Sequence, residues 1–263
     1  MNTVGTVESL WRYPVKSMHD EELDEIFAGF SGIYCDRFFA FRSSASPRGF
    51  PYLTAREQHE MLRYRPRFRE PDKAARPINL TEAENMPPGA NPIFADREEM
   101  MIDVETPAGY TLAIDNPVLI DMLRNGIDDK HQLTLLRSER AMTDCRPLSL
   151  FAVQSARRLS EETGTLVDKR RFRANVYLDL TSSDGFTEDE FVGRSVRIGP
   201  KVVISILERD PRCMMIVLDP DTGEKAPALL KKVAQAHGGM AGVYGAVLVE
   251  GTLRKGDSVE LLD

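Results

Sequence analysis

The sequence predicts a β-rich α+β protein built as a pair of domains with a few short helices. Three observations lead there. Short runs rich in Val, Ile and aromatic residues recur along the chain, each bounded by Gly, Pro, Asp or Asn. Helical patterns are few and short. Strand-like and helix-like stretches do not alternate as a doubly wound parallel sheet requires, and no internal repeat, P-loop or GxGxxG motif is present.

Residues 4–13 (VGTVESLWRY) read as a first strand, ended by Pro14, and residues 14–17 as a turn. Strands are expected at 23–27 and 32–42. Residues 54–63 read as a helix, with Thr54 and Glu57 forming a capping box. From residue 66 to about 99 the chain reads as irregular surface, densest in Pro, Asn, Glu and Arg up to Pro92. Residues 100–104 and 110–114 form a hairpin pattern around Pro107-Ala108-Gly109, and 116–123 a short helix. The chain turns polar near 126–130, which sets domains of 1–126 and 127–263.

In the second domain a strand at 133–137 precedes a helix at 155–163, with Ser155 as N-cap and Gly164 just past its end. Strands at 172–180 and 202–208 are separated by a polar turn at 185–191 and residues 195–199. Residues 209–212 read as a turn, 214–218 as a strand and 219–223 as a second turn. A helix at 227–236 is stopped by Gly238-Gly239, and strands at 243–251 and within 253–262 close the chain.

A chain of 263 residues can bury one large core or two modest ones. Its net charge of −7 gives no support to nucleic-acid or anionic-membrane binding. Arginine is nevertheless dense at 63–69 and 170–173, a distribution that suits a small anionic ligand. No basic region precedes an apolar run at the N-terminus and no stretch approaches ~20 apolar residues, so neither a signal peptide nor a membrane span is expected. Three widely spaced cysteines (Cys35, Cys145, Cys213) argue against a disulfide framework or structural zinc and point to a reducing cytoplasm.

Cys213 sits where a tight turn enters an apolar run, flanked by Arg209 and Arg212. Nearby cations favour the thiolate, the form that binds metals. Most free cysteines are small buried hydrophobes, so spacing alone leaves both readings open. Lys16 and Ser17 follow Pro14, where a cation and a hydroxyl suit a phosphate. Arg56 falls in an expected first helical turn, where a cation is unfavourable without an anion nearby. Asp36-Arg37 reads on its own as a salt bridge, and Asp144 and Ser155 as turn and capping residues. Arg171, Arg173 and Asn175 alternate along an expected strand and would project one row of donors.

Taken in order, these motifs resemble MOSC-domain proteins, a family that includes the C-terminal domain of molybdenum cofactor sulfurases and the amidoxime-reducing component enzymes. PRC, an apolar run and DPDTG at 211–223 resemble the segment that supplies a cysteine ligand to molybdenum. YPVKS at 13–17 resembles the signature of the β-barrel domain that precedes MOSC, and GIYCDRFF at 32–39 its following strand. TARE at 54–57 is similar to a TQRE-like segment, with Ala55 in place of glutamine. DCRP at 144–147 resembles the entry to the MOSC region, and RFRAN at 171–175 resembles RFRPN, with Ala174 in place of proline. Glu188-Asp189, Gly242-Val243-Tyr244 and Gly256-Asp257 are similar to the family's turn and closing strands. Pro211 stands where some members have a second cysteine, and Met214, Met215 and Ile216 where threonines are frequent; substrate choice stays open.

The resemblance implies two β-barrel-like domains and a molybdenum cofactor (molybdenum-molybdopterin). It makes Cys213 the metal ligand and catalytic residue. It makes Lys16, Ser17, Arg37, Asp144, Ser155, Arg171, Arg173, Asn175 and Arg212 cofactor contacts. The implied activity is oxidoreduction of N-hydroxylated or related N-oxygenated compounds. No iron–sulfur cysteines are present, so electrons are expected from a separate ferredoxin- or cytochrome b5-like protein. The family is also associated with pyridoxal phosphate, but no pyridoxal-phosphate desulfurase domain is read here. The alternatives are a cofactor carrier or sulfur-transfer (persulfide) protein without turnover, and a β-rich scaffold that has lost the cofactor.

Overall fold

The strand Asn2–Arg12 is bonded on both sides and ties the chain together. In a computed structural model that describes residues 2–85, 91–128 and 130–262, it pairs antiparallel with Val176–Leu180, Ser258–Leu262 and Glu21–Leu23. Register shifts at Val7/Ser9 and Thr3/Gly5 bend it. The bend lets a seven-strand barrel close. From Val176–Leu180 the order runs through Leu148–Ala152, Met240–Val249, Val202–Pro211, Ser195–Ile198 and Ser258–Leu262 back to the first strand. Closure leaves no free sheet edge among these strands. One pair, Leu148–Ala152 with Val176–Leu180, is parallel, and the helix Val153–Thr163 lies on the crossover such a pair needs. Leu10, Leu150, Leu178, Ile204, Ile206, Val243 and Val259 belong to one buried cluster that packs this barrel.

A second core gathers Val15, Met18, Phe27, Phe38, Phe41, Leu53, Met61, Met100 and Ile102. Around it lie a two-stranded sheet (Phe39–Ser43 with Leu133–Arg137) and a three-stranded one (Arg65–Phe68, Ile102–Glu105, Thr111–Ala113). The strand Gly251–Arg254 pairs with Glu25–Gly29, so the late chain also reaches the early one. A third cluster joins Trp11, Tyr13, Phe151, Phe172 and Ile216 to Leu159, Leu229 and Val233 of two helices. The protein is β-rich with few short helices, as the sequence predicts.

Several expected elements are present. The hairpin forms, Asn116 Oδ1 accepts from Val118 N at 2.9 Å to cap the helix Pro117–Arg124, and Gly238 and Gly239 follow the helix Pro227–Ala236 with positive φ. Others differ. Residues 54–63 hold only the 3₁₀ turn His59–Arg63. Half of the expected capping box still forms, with Thr54 N donating to Glu57 Oε2 at 3.1 Å, while Thr54 Oγ1 donates to the same oxygen at 2.6 Å and Glu57 N donates to the Thr54 backbone carbonyl at 3.0 Å. The segment is too short for a stable helix, and the chain leaves it to pair Arg65–Phe68 with Ile102–Glu105. That strand lies in a stretch expected to be irregular; Pro66 hid it, and it is tolerated because the strand is at a sheet edge. The short helices Pro71–Ala75 and Leu80–Asn85 follow, and residues 86–90 of that stretch lie outside the described residues.

The strand Val202–Pro211 runs through the expected turn at 209–212. The apolar run after Cys213 is a 3₁₀ turn, Met214–Val217, not a strand. Periodicity cannot separate these for so short a run. Ser155 is the third residue of Val153–Thr163 and not its cap, which is Ala152.

Candidate functional site

A cleft opens where the turn after the first strand meets residues 143–149, 171–175 and 210–216. One wall is organised by Tyr13, which is fully buried. Its backbone N–H donates to Asp36 Oδ1 at 2.9 Å and its hydroxyl donates to Ala174 O at 3.1 Å. The guanidinium carbons of Arg37 and Arg173 each lie 4.2 Å from the Tyr13 ring centroid. Arg37 Nη1 is 2.5 Å from Asp36 Oδ2, and its Nη2 donates to Arg173 O at 3.0 Å. Arg173 Nη2 donates to Met18 O at 2.9 Å. Arg173 forms no ion pair with a carboxylate among the described residues. Burial, then the Arg37 charge, pulls its pKa down against Tyr13, Asp20 and Asp36. Burial also pushes the nearby Asp20 carboxyl up, so it answers Arg173 only in part. For Arg37, burial pulls down but Asp36 and Tyr13 outweigh it.

The backbone of this wall is strained. Five non-glycine residues among those described adopt positive φ, and three are Ser17 (66°), Arg37 (43°) and Arg173 (50°). Such conformations cost of order 1–3 kcal/mol each and concentrate at functional sites. Hydrogen bonds from Arg37 N to Tyr13 O (2.7 Å), Phe39 N to Pro14 O (3.0 Å) and Lys16 N to Phe39 O (2.8 Å) hold the two turns together.

Lys16 is buried, donates to Met142 O at 2.8 Å, and forms an ion pair with Asp144. Its Nζ lies 4.8 Å from the Tyr52 ring and 5.1 Å from the Phe50 ring. Burial lowers its pKa against the pull of Asp144. Burial raises that of Asp144, but Lys16, Arg37 and Arg56 outweigh it and hold the carboxyl below its ordinary range.

Cys213 is half-buried, extended, and opens the Met214–Val217 turn at the cleft. Two arginines fix its neighbourhood. Arg212 donates from Nε to Ala241 O at 2.6 Å and from Nη1 to Phe172 O at 2.9 Å, and lies 2.7 Å from Asp210. Arg171 donates to Val217 O and to Asp219 Oδ2, both at 2.9 Å. Gly242 makes room: with φ +78°, a Cβ there would lie 2.8 Å from Leu150 O and 3.1 Å from Arg212 Nη2. Burial pushes Asp210 up to about 6 despite Arg212. The other cysteines differ. Cys35 is in the second core, its thiol pushed up to about 12 by burial, and Cys145 is exposed.

Nine of the ten residues singled out from the sequence line this cleft: Lys16, Ser17, Arg37, Asp144, Arg171, Arg173, Asn175, Arg212 and Cys213. Their arrangement is not the expected row on a strand. Arg171 is in the 3₁₀ turn Lys169–Phe172, Arg173 follows in the left-handed region, and the strand begins at Val176. Asn175 is buried, accepting from Ser149 N and donating to Trp11 O, both at 3.3 Å. Ser155 is the exception and lies outside the cleft lining. Its hydroxyl meets Glu188 Oε1 and Oε2 at 2.8 and 2.9 Å and accepts from Phe186 N at 2.7 Å. Burial pushes Glu188 up to about 7. Sequence reasoning left out Thr54, Arg146, Ser149, Asp210 and Tyr244, and gave Arg56 only a hint. Asp210 was legible in RDPRC as a carboxylate two residues before a cleft arginine.

Seven cationic side chains line the cleft, a donor set that fits a large anionic ligand. Among the described residues no group of three or more His, Cys, Asp or Glu side chains could hold a metal ion.

Two family models match the chain: the MOSC domain over residues 137–260 and the MOSC N-terminal beta barrel domain over residues 4–74. Among solved structures, the YUAD protein of Bacillus subtilis is 12% identical, with 98% of this chain and 95% of that chain covered and a TM-score of 0.48. YiiM from Geobacillus stearothermophilus is 21% identical over 45% of this chain and 55% of its own, with a TM-score of 0.36. YiiM from Escherichia coli is 20% identical over the same shares, with a TM-score of 0.31. No curated protein matches. No helix among the described residues is long and apolar enough to cross a membrane.

Proposed function

The chain belongs to the MOSC-domain family, with a MOSC N-terminal β-barrel domain ahead of the MOSC domain, and on that premise we propose that it is a molybdenum-cofactor oxidoreductase acting on N-hydroxylated or related N-oxygenated compounds. The observation that carries the reading is a half-buried thiol, Cys213, beside a strained and surplus-charged cationic wall in one cleft. The family generally binds molybdenum cofactor. Arg37 and Arg173 would hold the cofactor's anionic phosphate, with Lys16 and Ser17 beside them. Asn175 and Asp144 offer hydrogen-bonding edges to its pterin. Cys213 would ligate the metal, with Arg171 and Arg212 keeping its segment in place. When bound, the cofactor would supply the two-electron redox centre.

The overall reaction balances as R–NH–OH + 2 e⁻ + 2 H⁺ → R–NH₂ + H₂O. The N–O bond breaks, oxygen takes one proton and leaves as water with the bonding pair, and the two supplied electrons go to nitrogen, which takes the second proton. The electrons come from a separate one-electron carrier of the ferredoxin or cytochrome b5 class, in two deliveries.

The test is a reductase assay on cofactor-loaded protein with a chemically reduced viologen as donor and an aryl hydroxylamine as substrate. Amine should form in the wild type, and Cys213→Ala should fall to background while unfolding at an unchanged temperature. Full turnover in Cys213→Ala would sink the mechanism. The accessibility of the Cys213 thiol also suits a carrier or sulfur-transfer role, which predicts a persulfide on Cys213 and no amine.

A further inference from the structure

Of the seven cations in the cleft, five meet a carboxylate of this chain: Lys16 with Asp144, Arg37 with Asp36, Arg146 with Glu208, Arg171 with Asp219 and Arg212 with Asp210. Arg173 and Arg56 are left. Arg173 is held against Tyr13 and bonded to Met18 O, within the wall assigned above to the cofactor. Arg56 is differently placed. Its Nε donates to Thr54 Oγ1 at 3.2 Å, and its guanidinium lies 4.7 Å from the Phe50 ring centroid. Neither terminal nitrogen has a hydrogen-bond partner among the described residues. Asp144 feels its charge, but the Asp144 carboxylate is already bonded to Lys16.

The surroundings hold this side chain ready. Thr54 is clamped by Glu57, Arg56 N donates to Thr54 Oγ1 at 3.3 Å, and Phe50 packs edge-on against Tyr52 at 5.2 Å. A guanidinium over an aromatic ring keeps its fork of donors ordered and presents them to a planar anion. Arginine also sheds water more readily than lysine, which favours a carboxylate partner in a cleft.

We propose that Arg56 is a specificity-determining residue that binds a carboxylate on the substrate, so that this protein prefers anionic N-hydroxylated compounds to neutral ones. The inference rests on the function proposed above. A cationic cleft in a chain of net charge −7 would also draw such anions in ahead of neutral competitors.

The test needs no turnover. Calorimetric titration of cofactor-loaded protein, without an electron donor, compares para-(hydroxyamino)benzoate with its methyl ester. The wild type should bind the carboxylate about tenfold or more tightly than the ester. Arg56→Gln should weaken the carboxylate by about tenfold to a hundredfold and move the ester less than about twofold. Arg56→Lys should recover part of the loss. Molybdenum and pterin content should be the same in all three proteins. Equal affinity of the two ligands for the wild type would overturn the inference. So would loss of molybdenum and pterin in Arg56→Gln, which would make Arg56 a cofactor contact. A wild type lacking molybdenum would overturn the function proposed above, and this inference with it, before any ligand is added.

Discussion

The Tyr13 wall of the cleft and the Ser155–Glu188 pair are both buried and polar, yet only the pair is complete. Ser155 meets both Glu188 oxygens and Ala152 N donates to Oε1 at 3.2 Å. Burial keeps that carboxyl protonated up to about pH 7, so no counter-charge is needed. At Tyr13 two guanidiniums bracket one ring, Asp36 pairs with only one of them, and the backbone at Ser17, Arg37 and Arg173 is left-handed. Buried polar groups that satisfy one another are devices of the fold. A buried cluster that keeps surplus charge and strain is built for a partner from outside.

Arg173→Met should separate the two most widely. It should cut molybdenum retention at least about tenfold if Arg173 holds the cofactor as proposed, since a charged hydrogen bond would be lost. The metal-free protein should stay within about 1 kcal/mol of wild type, since a half-buried cation with no carboxylate partner among the described residues is replaced by an apolar chain of similar length. Metal analysis and urea unfolding measure both; unchanged retention would break the comparison. Ser155→Ala should do the reverse, with stability falling by about 2 kcal/mol as Glu188 loses its hydroxyl donor and keeps Ala152 N, and with molybdenum content holding steady. Loss of metal in that variant would return Ser155 to the cofactor site.

Glu188→Gln sharpens the fold side of the contrast. The carboxyl titrates near 7 in the folded protein against an ordinary 4.5, so the native state holds the extra proton between these values. Its contribution is therefore present below about pH 4.5 and lost as pH rises through 7. Relative to the glutamine variant, wild type should lose up to about 3 kcal/mol between pH 4 and pH 8. A pH-independent difference in urea midpoints would contradict the assignment.

The cleft was more legible in the sequence than the path to it. Lys16, Arg37, Arg173 and Cys213 stand in short motifs that resemble those of the family, and the cleft gathers them, although their residue types alone read equally well as a solvated cation, a salt bridge or a buried cysteine. Their geometry was not legible. The left-handed turn at Arg173 and the 3₁₀ turn after Cys213 depend on packing of Phe172 and Ile216 in the third core, which no local pattern encodes. Ser155 misled because a serine near a helix start serves equally well as a cap, a ligand contact or a partner for a distant glutamate. The closure of the barrel by Asn2–Arg12 onto Val176–Leu180 is a pairing across most of the chain, invisible to any window of sequence.

The proposal that the cleft holds a molybdenum cofactor with Cys213 on the metal can be tested directly. Mass-spectrometric molybdenum and pterin content, with molybdenum X-ray absorption, should be measured on wild type and Cys213→Ala purified from cells able to make the cofactor. Near-stoichiometric molybdenum and pterin are expected in the wild type, and one sulfur fewer around the metal in the variant. Well-folded wild-type protein with neither molybdenum nor pterin, or an unchanged sulfur count in Cys213→Ala, would contradict it.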